Sequence, residues 1–352
     1  MRKLLNPSSA VLALAVLALA LGGRAAAQSA TAASVDRLIA DAKSAGLARL
    51  PAAPSSTDPV AKARVELGRR LFYESRVSAD GNVSCGHCHQ ADQGGADGLP
   101  KAIGVFGKVN PRNAPTIFNA ALQFKQHWRG DRATLEEQAE KSPLGATSYG
   151  NQDFATVIAK LKTIDGYGEA FARAFPGEAD PITQKNWGAA IAAFERTLIT
   201  PARFDAFLDG ERVALSPQEQ AGLRKFIDLG CAACHNGPGL GGQSFEKFGV
   251  AEDYWKETGS TEPDKGRADV TKSDADLYVF KVPQLRNVAK TAPYFHDGAV
   301  AELPAAVRIM GKTQLGVELK DEEVAEIVAF LGALTGPVPQ TYAPLPSFPD
   351  AK

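Results

Sequence analysis

Side chains that bind transition metals are scarce in this chain. Its 352 residues include four cysteines, five histidines and two methionines, one of them Met1. Thiol and metal chemistry is therefore confined to the few places where those residues stand. An excess of charge is missing as well. The 39 basic residues face 40 acidic ones and form no cluster, which argues against nucleic acid as a partner. Beyond the first thirty residues no long apolar run survives, because Gly, Pro or charge interrupts each one, so no later segment can span a bilayer. Nor does any stretch alternate like a strand over more than a few residues. What remains is a mostly helical chain with long loops, expected to be all-α.

The opening residues read as an export leader, 1–27. Arg2 and Lys3 give a basic start, Ala10 to Leu21 is an unbroken Ala/Leu/Val run, and Ala25-Ala26-Ala27 precedes Gln28. That order predicts cleavage after Ala27 and a periplasmic, mildly acidic mature protein. A membrane anchor is the competing reading, but the run is short of the roughly 20 apolar residues a span needs. Residues 28–59 read as a short helix and a linker rich in Pro, Ser and Ala. Helical spacing follows from Val60, then over Asp153–Phe175 and Thr183–Leu198. Ser216-Pro217-Gln218-Glu219 is a capping box that starts a helix to about Leu229, and Asp321–Leu334 reads as the last helix. The length suits two domains, expected over 60–205 and 206–338 with a tail at 339–352. One local repeat is visible, a helix, a two-cysteine motif and a Gly-rich loop, around Cys85 and again around Cys231.

All four cysteines lie in Cys85-Gly86-His87-Cys88-His89 and Cys231-Ala232-Ala233-Cys234-His235. Both are C-x-x-C-H, the attachment sequence of c-type haem. Two thiols three residues apart on a turn each form a thioether with one vinyl group, and the following His, His89 or His235, binds the iron. Zinc would want the pairs closer together, and a redox C-x-x-C would want an α/β setting that is missing here. His87 reads as a spacer. Outside the motifs only His127, His296 and Met310 remain as ligands. Taken alone, Met310 reads as core filler as readily as an axial ligand.

The same residues, with the segments around them, resemble the bacterial diheme cytochrome c peroxidases and their MauG relatives. The resemblance runs from about Leu67 to Leu334. It is carried by Leu67-Gly68-Arg69-Arg70-Leu71-Phe72, by Arg112-Asn113-Ala114-Pro115-Thr116 with Asn119, and by Trp128 with Gln138. Phe280-Lys281-Val282-Pro283, Leu285-Arg286-Asn287 and Tyr294-Phe295-His296-Asp297-Gly298 complete it. It implies two cytochrome-c-like domains packed together, a peroxidatic first haem and an electron-entry second haem. Met310 would be the axial ligand of the second haem, where the MauG branch carries a Tyr. Asn113 and the carbonyls of Thr291 and Pro293 would hold a calcium ion between the haems. Trp128 would stand between the porphyrins; its bland reading is core packing.

Two departures from the family pattern stand out. The His that blocks the first iron in many relatives falls at Val105, which cannot bind iron. The distal Glu falls at Tyr149. Peroxide cleavage needs a group that moves a proton between the two oxygens, and the candidates are Tyr149, Glu136, Glu137, Gln138 and His127. Glu136 and Glu137 also fit a solvated helix face, and His127 a structural role. The expected function is reduction of hydrogen peroxide by electrons from a small periplasmic donor, a c-type cytochrome or cupredoxin, with a second copy in a homodimer among the expected partners. A MauG-like enzyme that oxidises a protein partner and a non-catalytic diheme electron carrier are the alternatives.

Overall fold

A computed structural model describes residues 32–350, so the leader expected over 1–27 lies outside the described residues. The principal helices are α1 (32–44), α2 (Pro59–Phe72), α3 (Leu135–Lys141), α4 (Phe154–Lys162), α5 (Tyr167–Ala174) and α6 (Gln184–Glu195). They continue with α7 (Pro217–Asp228), α8 (Leu303–Met310) and α9 (Asp321–Gly332). Local sequence explains their starts. Asp58 caps α2 through Val60 N and Ala61 N, Thr183 caps α6, and the Ser216/Glu219 box closes over the start of α7. The single helix expected over 153–175 is broken in two. Gly166, at φ +99°, takes a left-handed conformation between α4 and α5 that a helix interior cannot hold. One antiparallel ribbon, Phe245–Lys247 with Val279–Lys281, is the only sheet among the described residues. Three residues per strand are too few to show an alternating pattern.

Two cores form. Leu71, Phe72, Phe171 and Phe194 centre the first, between α2, α4, α5 and α6. Phe207, Leu223, Phe226 and Phe330 centre the second, between α1, α7 and α9. In each, two helices cross at a glycine. A Cβ on Gly68 would collide with the Ala190 carbonyl, and one on Gly222 with the Glu326 carbonyl. Next to each crossing a pair of rings packs alike, Phe72 on Phe194 at 5.4 Å and Phe226 on Phe330 at 5.3 Å.

The repeat is far more extensive than the sequence suggests. Asn119, His127 and Gly130 have φ of 60°, 67° and 62°; at the same spacing Asn287, Phe295 and Gly298 have 64°, 71° and 63°. The isolated bridges Gln126–Arg132 and Tyr294–Val300 fall in the same register. Extending that register along α3 and α8 puts Ser142 at the position of Met310. Both asparagines donate to Thr200 Oγ1 at 2.8 Å, which ties the two copies together.

The ends of the chain exchange halves. Helix α1 buries Val35, Leu38, Ile39 and Ala42 in the second core. The stretch 339–350 returns to the first core, where Tyr342 is buried among Phe72, Phe118 and Phe194. Residues read from sequence as a tail are thus part of the first core.

Candidate haem sites

The first motif forms one helical turn, Cys85–Cys88, which sets both thiols on one short segment. Burial pushes both thiols up to about 12, so they stand neutral. The His89 Nδ1–H donates to the Gly95 carbonyl at 2.9 Å. That bond fixes the tautomer and leaves the Nε2 lone pair available to a metal. The carbonyl of His89 accepts from the Tyr342 hydroxyl. His87 turns aside, its ring Nε2 bonded to the Ile103 carbonyl at 3.0 Å.

The second motif follows Gly230, at φ +84°, and turns through Cys231–Ala233. Gly241 stands where Gly95 stands in the first half, and a Cβ there would strike the Pro283 carbonyl and press on His235 Nδ1. Burial pulls His235 down to about 4, which keeps the imidazole in the neutral form a metal requires. His235 packs on Phe226 as His89 packs on Phe72, each pair at 6.4 Å.

An apolar cavity opens beside the second motif, and His235, Met310, Trp128, Phe280 and Leu331 are among its walls. Met310 belongs to a cluster with Phe248, Tyr254, Phe280 and Trp128. Lys281, 5 % exposed, also lines this cavity. Its amine donates to Gln123 Oε1 and forms no ion pair among the described residues. Burial alone lowers it to about 8. Flat apolar walls, a neutral imidazole and a buried amine fit a porphyrin with anionic propionates.

Trp128 is held from both sides, its Nε1–H donating to the Asn113 carbonyl at 2.9 Å and its carbonyl accepting from Lys281 N at 2.8 Å. Asn113, Thr291 and Pro293 share this cavity's wall, and Asn113 Nδ2 donates to the Leu99 carbonyl at 2.8 Å. His127 lines the same cavity, bonded through Nδ1 to Asp131 at 3.2 Å. Burial opposes the Asp131 charge, but His127, Arg132 and Arg129 together hold its carboxyl well below the usual range.

The proposed acid–base residues divide into two groups. Tyr149 is buried, with its hydroxyl 3.2 Å from Cys85 Sγ. Burial raises it well above the usual phenol value. Val105 is buried next to it, with Val105 N donating to the Ser148 carbonyl at 2.9 Å. The structure therefore brings Cys85, Tyr149 and Val105 together. Glu137 instead closes the start of α3 through Ala133 N and pairs with Lys141. Glu136 pairs with Arg196 at 2.7 Å, and Gln138 Nε2 donates to Ser142 Oγ at 2.8 Å.

Sequence reasoning assigned no role to Glu195, Lys281 or Tyr342. A lone charge inside Val279-Phe280-Lys281-Val282 was a usable signal for Lys281. Nothing local marks Tyr342, which meets the first site across the whole chain.

The family model for di-haem cytochrome c peroxidase matches residues 62–213, and that for cytochrome c matches residues 219–335. The cytochrome c551 peroxidase of Pseudomonas aeruginosa is 44 % identical over 82 % of this chain and 83 % of its own. The cytochrome c peroxidase of Escherichia coli is also 44 % identical, over 79 % of this chain and 59 % of that longer protein. Among solved structures, a MauG-like protein associated with microbial copper homeostasis superposes with a TM-score of 0.72 at 30 % identity, covering 84 % of this chain and 96 % of that one. The fold and site are those of a c-type diheme oxidoreductase. The chain belongs to the bacterial di-haem cytochrome c peroxidases, a peroxidase with two haem c groups. No helix among the described residues is long and apolar enough to cross a membrane.

Proposed function

We propose that this protein reduces hydrogen peroxide to water in the periplasm. Electrons from a small c-type cytochrome or cupredoxin enter at the second haem and are used at the first. The observation that carries this reading is the unequal sixth position. In the repeat, Met310 of the second half corresponds to Ser142 of the first, and the blocking His of relatives corresponds to Val105, buried beside Tyr149. A thioether can hold an iron six-coordinate; a serine hydroxyl and a valine cannot hold it against peroxide.

Bound haem supplies the iron that receives peroxide and stores electrons. The protein supplies the rest. His89, fixed by Gly95, would hold the first iron, and His235 with Met310 would hold the second. Trp128, clamped between Asn113 and Lys281, offers an aromatic step between the sites. Tyr149 is the leading proton-handling group. Once Cys85 is a thioether its S–H is gone, and the Tyr149 hydroxyl is free to bond elsewhere in the pocket. Gln138 and Glu137, engaged at the two ends of α3, are its reserves. Lys281 would pair with a propionate of the second haem. Asn113 and the carbonyls of Thr291 and Pro293 supply oxygen donors of the kind calcium prefers. The exposed side chains of Ile103, Phe106 and Val109 favour pairing of two copies through that loop.

Electron paramagnetic resonance of the oxidised holoprotein should show one high-spin and one low-spin ferric haem. Met310→Leu should convert the low-spin species, and Tyr149→Phe should slow peroxide turnover about 100-fold or more. Two low-spin signals in the native protein, or no turnover with reduced cytochrome c, would overturn the reading. A MauG-like oxidation of a protein partner would instead appear as a long-lived oxidised species without turnover; Tyr149 favours it and Met310 opposes it.

A further inference from the structure

Glu195 closes α6 inside the first core. It is 4 % exposed and follows Phe194, whose ring packs on Phe72 and Tyr342 beside the first motif. The internal repeat explains that location. Ala190 and Phe194 correspond to Glu326 and Phe330 through the two glycine crossings, so Glu195 corresponds to Leu331. Leu331 lines the cavity of the second motif together with Cys231 and His235. One pocket therefore has a leucine at this point and the other a carboxyl group.

The surroundings keep that carboxyl apart from any cation that would fix it as a charge. The neighbouring Arg196 is engaged by Glu136 of α3 at 2.7 Å, and Glu137 of the same helix pairs with Lys141. The arginines of α2 point elsewhere: Arg64 to the Ala174 carbonyl, Arg69 to Ala343 and Arg70 to Pro346 and Glu66. The Cys85 thiol loses its proton chemistry on becoming a thioether. Tyr73 donates to the Tyr342 carbonyl and Tyr342 to that of His89. Burial, with Glu136 adding to it against Arg196, raises Glu195 to about 8.

We propose that Glu195 is the proton-exchanging group of the first haem site. Above about pH 8, where it is ionised in the oxidised protein, Glu195 takes up one proton from solvent when one electron reaches that site from the second haem. It returns that proton to solvent when peroxide removes the electron. In that range each electron moved through the pocket is matched by one proton, and net charge inside the first core stays constant. The second pocket has Leu331 at this point, and the buried titratable group beside it is a cation, Lys281, rather than a carboxyl. A buried site in which charge must be neutralised is where such coupling has the largest effect. Glu195 is a positioning residue for charge, acting on the site through the core rather than on peroxide.

The inference rests on the first motif carrying haem, and it is independent of which substrate that haem reduces. The test is a spectroelectrochemical titration of the holoprotein from about pH 6 to about pH 10, bracketing the ordinary carboxylate-to-lysine interval. The first-haem potential should be flat below about pH 8, where Glu195 is protonated in both redox states, and fall with a one-proton, one-electron slope above it, while any slope at the second haem is removed by Lys281→Met and untouched by Glu195→Gln. Glu195→Gln, and Glu195→Leu, which copies the second half, should each abolish the slope at the first haem only. Reduced-minus-oxidised infrared spectra should show a protonated carboxyl band that Glu195→Gln removes. An unchanged slope in either variant, or a first-haem potential in the native protein that stays flat above about pH 8 as well, overturns the inference. A protein lacking haem at Cys85 and Cys88 would instead overturn the diheme reading beneath it.

Discussion

Arg286 has no exposed surface, and each of its three guanidinium nitrogens has a partner. Its guanidinium donates to both oxygens of Asp205, at 2.7 and 2.9 Å, to the Pro238 carbonyl at 2.9 Å and to the Ala48 carbonyl at 3.1 Å. Asp205 in turn accepts from Leu50 N and Ala202 N at 2.7 Å. One residue thus joins the second haem loop, the N-terminal segment and the link between halves. Arg286→Ala leaves Asp205 buried and uncompensated, and should cost about 3–5 kcal/mol in denaturant unfolding. A loss under about 1 kcal/mol would show that water replaces the guanidinium freely. Lys281 is the opposite kind of buried cation, held among apolar walls with only an amide oxygen. If a propionate is its partner, Lys281→Met should lower the second-haem potential by an equivalent of about 1–2 kcal/mol. Lys281→Arg should restore most of it, and redox titration would refute the pairing if the potential does not move.

The two helix crossings are the elements on which each haem pocket depends. Gly68 on α2 and Gly222 on α7 let backbone meet backbone, and the rings one turn further, Phe72 and Phe226, reach the proximal histidines only at that spacing. Gly68→Ala would force α2 from α6, costing about 1–3 kcal/mol or more in stability. It should also shift the absorption of the first haem and leave the second unchanged. Gly222→Ala should do the reverse. Equal disturbance of both haems by either change would mean that the halves do not hold their crossings independently.

Viewed whole, the molecule is stitched by its ends. Helix α1 completes the second core, and the segment beyond Pro339 completes the first, with Tyr342 among four aromatic rings and Phe348 against Tyr167. Deletion of residues 339–352 removes a fully buried aromatic, a loss of about 3–5 kcal/mol by analogy with core truncations. The first haem should then lose its proximal bond in a separate, earlier thermal transition, followed by its absorption band. Tyr342→Phe keeps the ring and drops only the hydroxyl to His89, so about 1 kcal/mol should be lost. A single unshifted transition in the deletion would mean that the segment merely covers the core.

By itself the sequence determined the cofactor chemistry. C-x-x-C-H is local, because two thioethers and a ligand must all reach one ring from five residues, and the fixed spacing is legible without a fold. The helices with side-chain caps, such as α7 with its Ser216/Glu219 box, were equally legible, since a cap acts within four residues. The break at Gly166 was hidden, because apolar spacing on either side of it stayed in phase. Only tertiary structure decided that Glu195 is buried at the position equivalent to Leu331, that Lys281 is buried with no carboxylate partner among the described residues, and that Tyr342 reaches His89. It also put Glu137 in a cap and Tyr149 against Cys85, two candidates between which position along the chain only slightly favours Tyr149. Those facts depend on which surfaces meet when the halves pack, and desolvation at such a meeting depends on distant neighbours that no local pattern encodes.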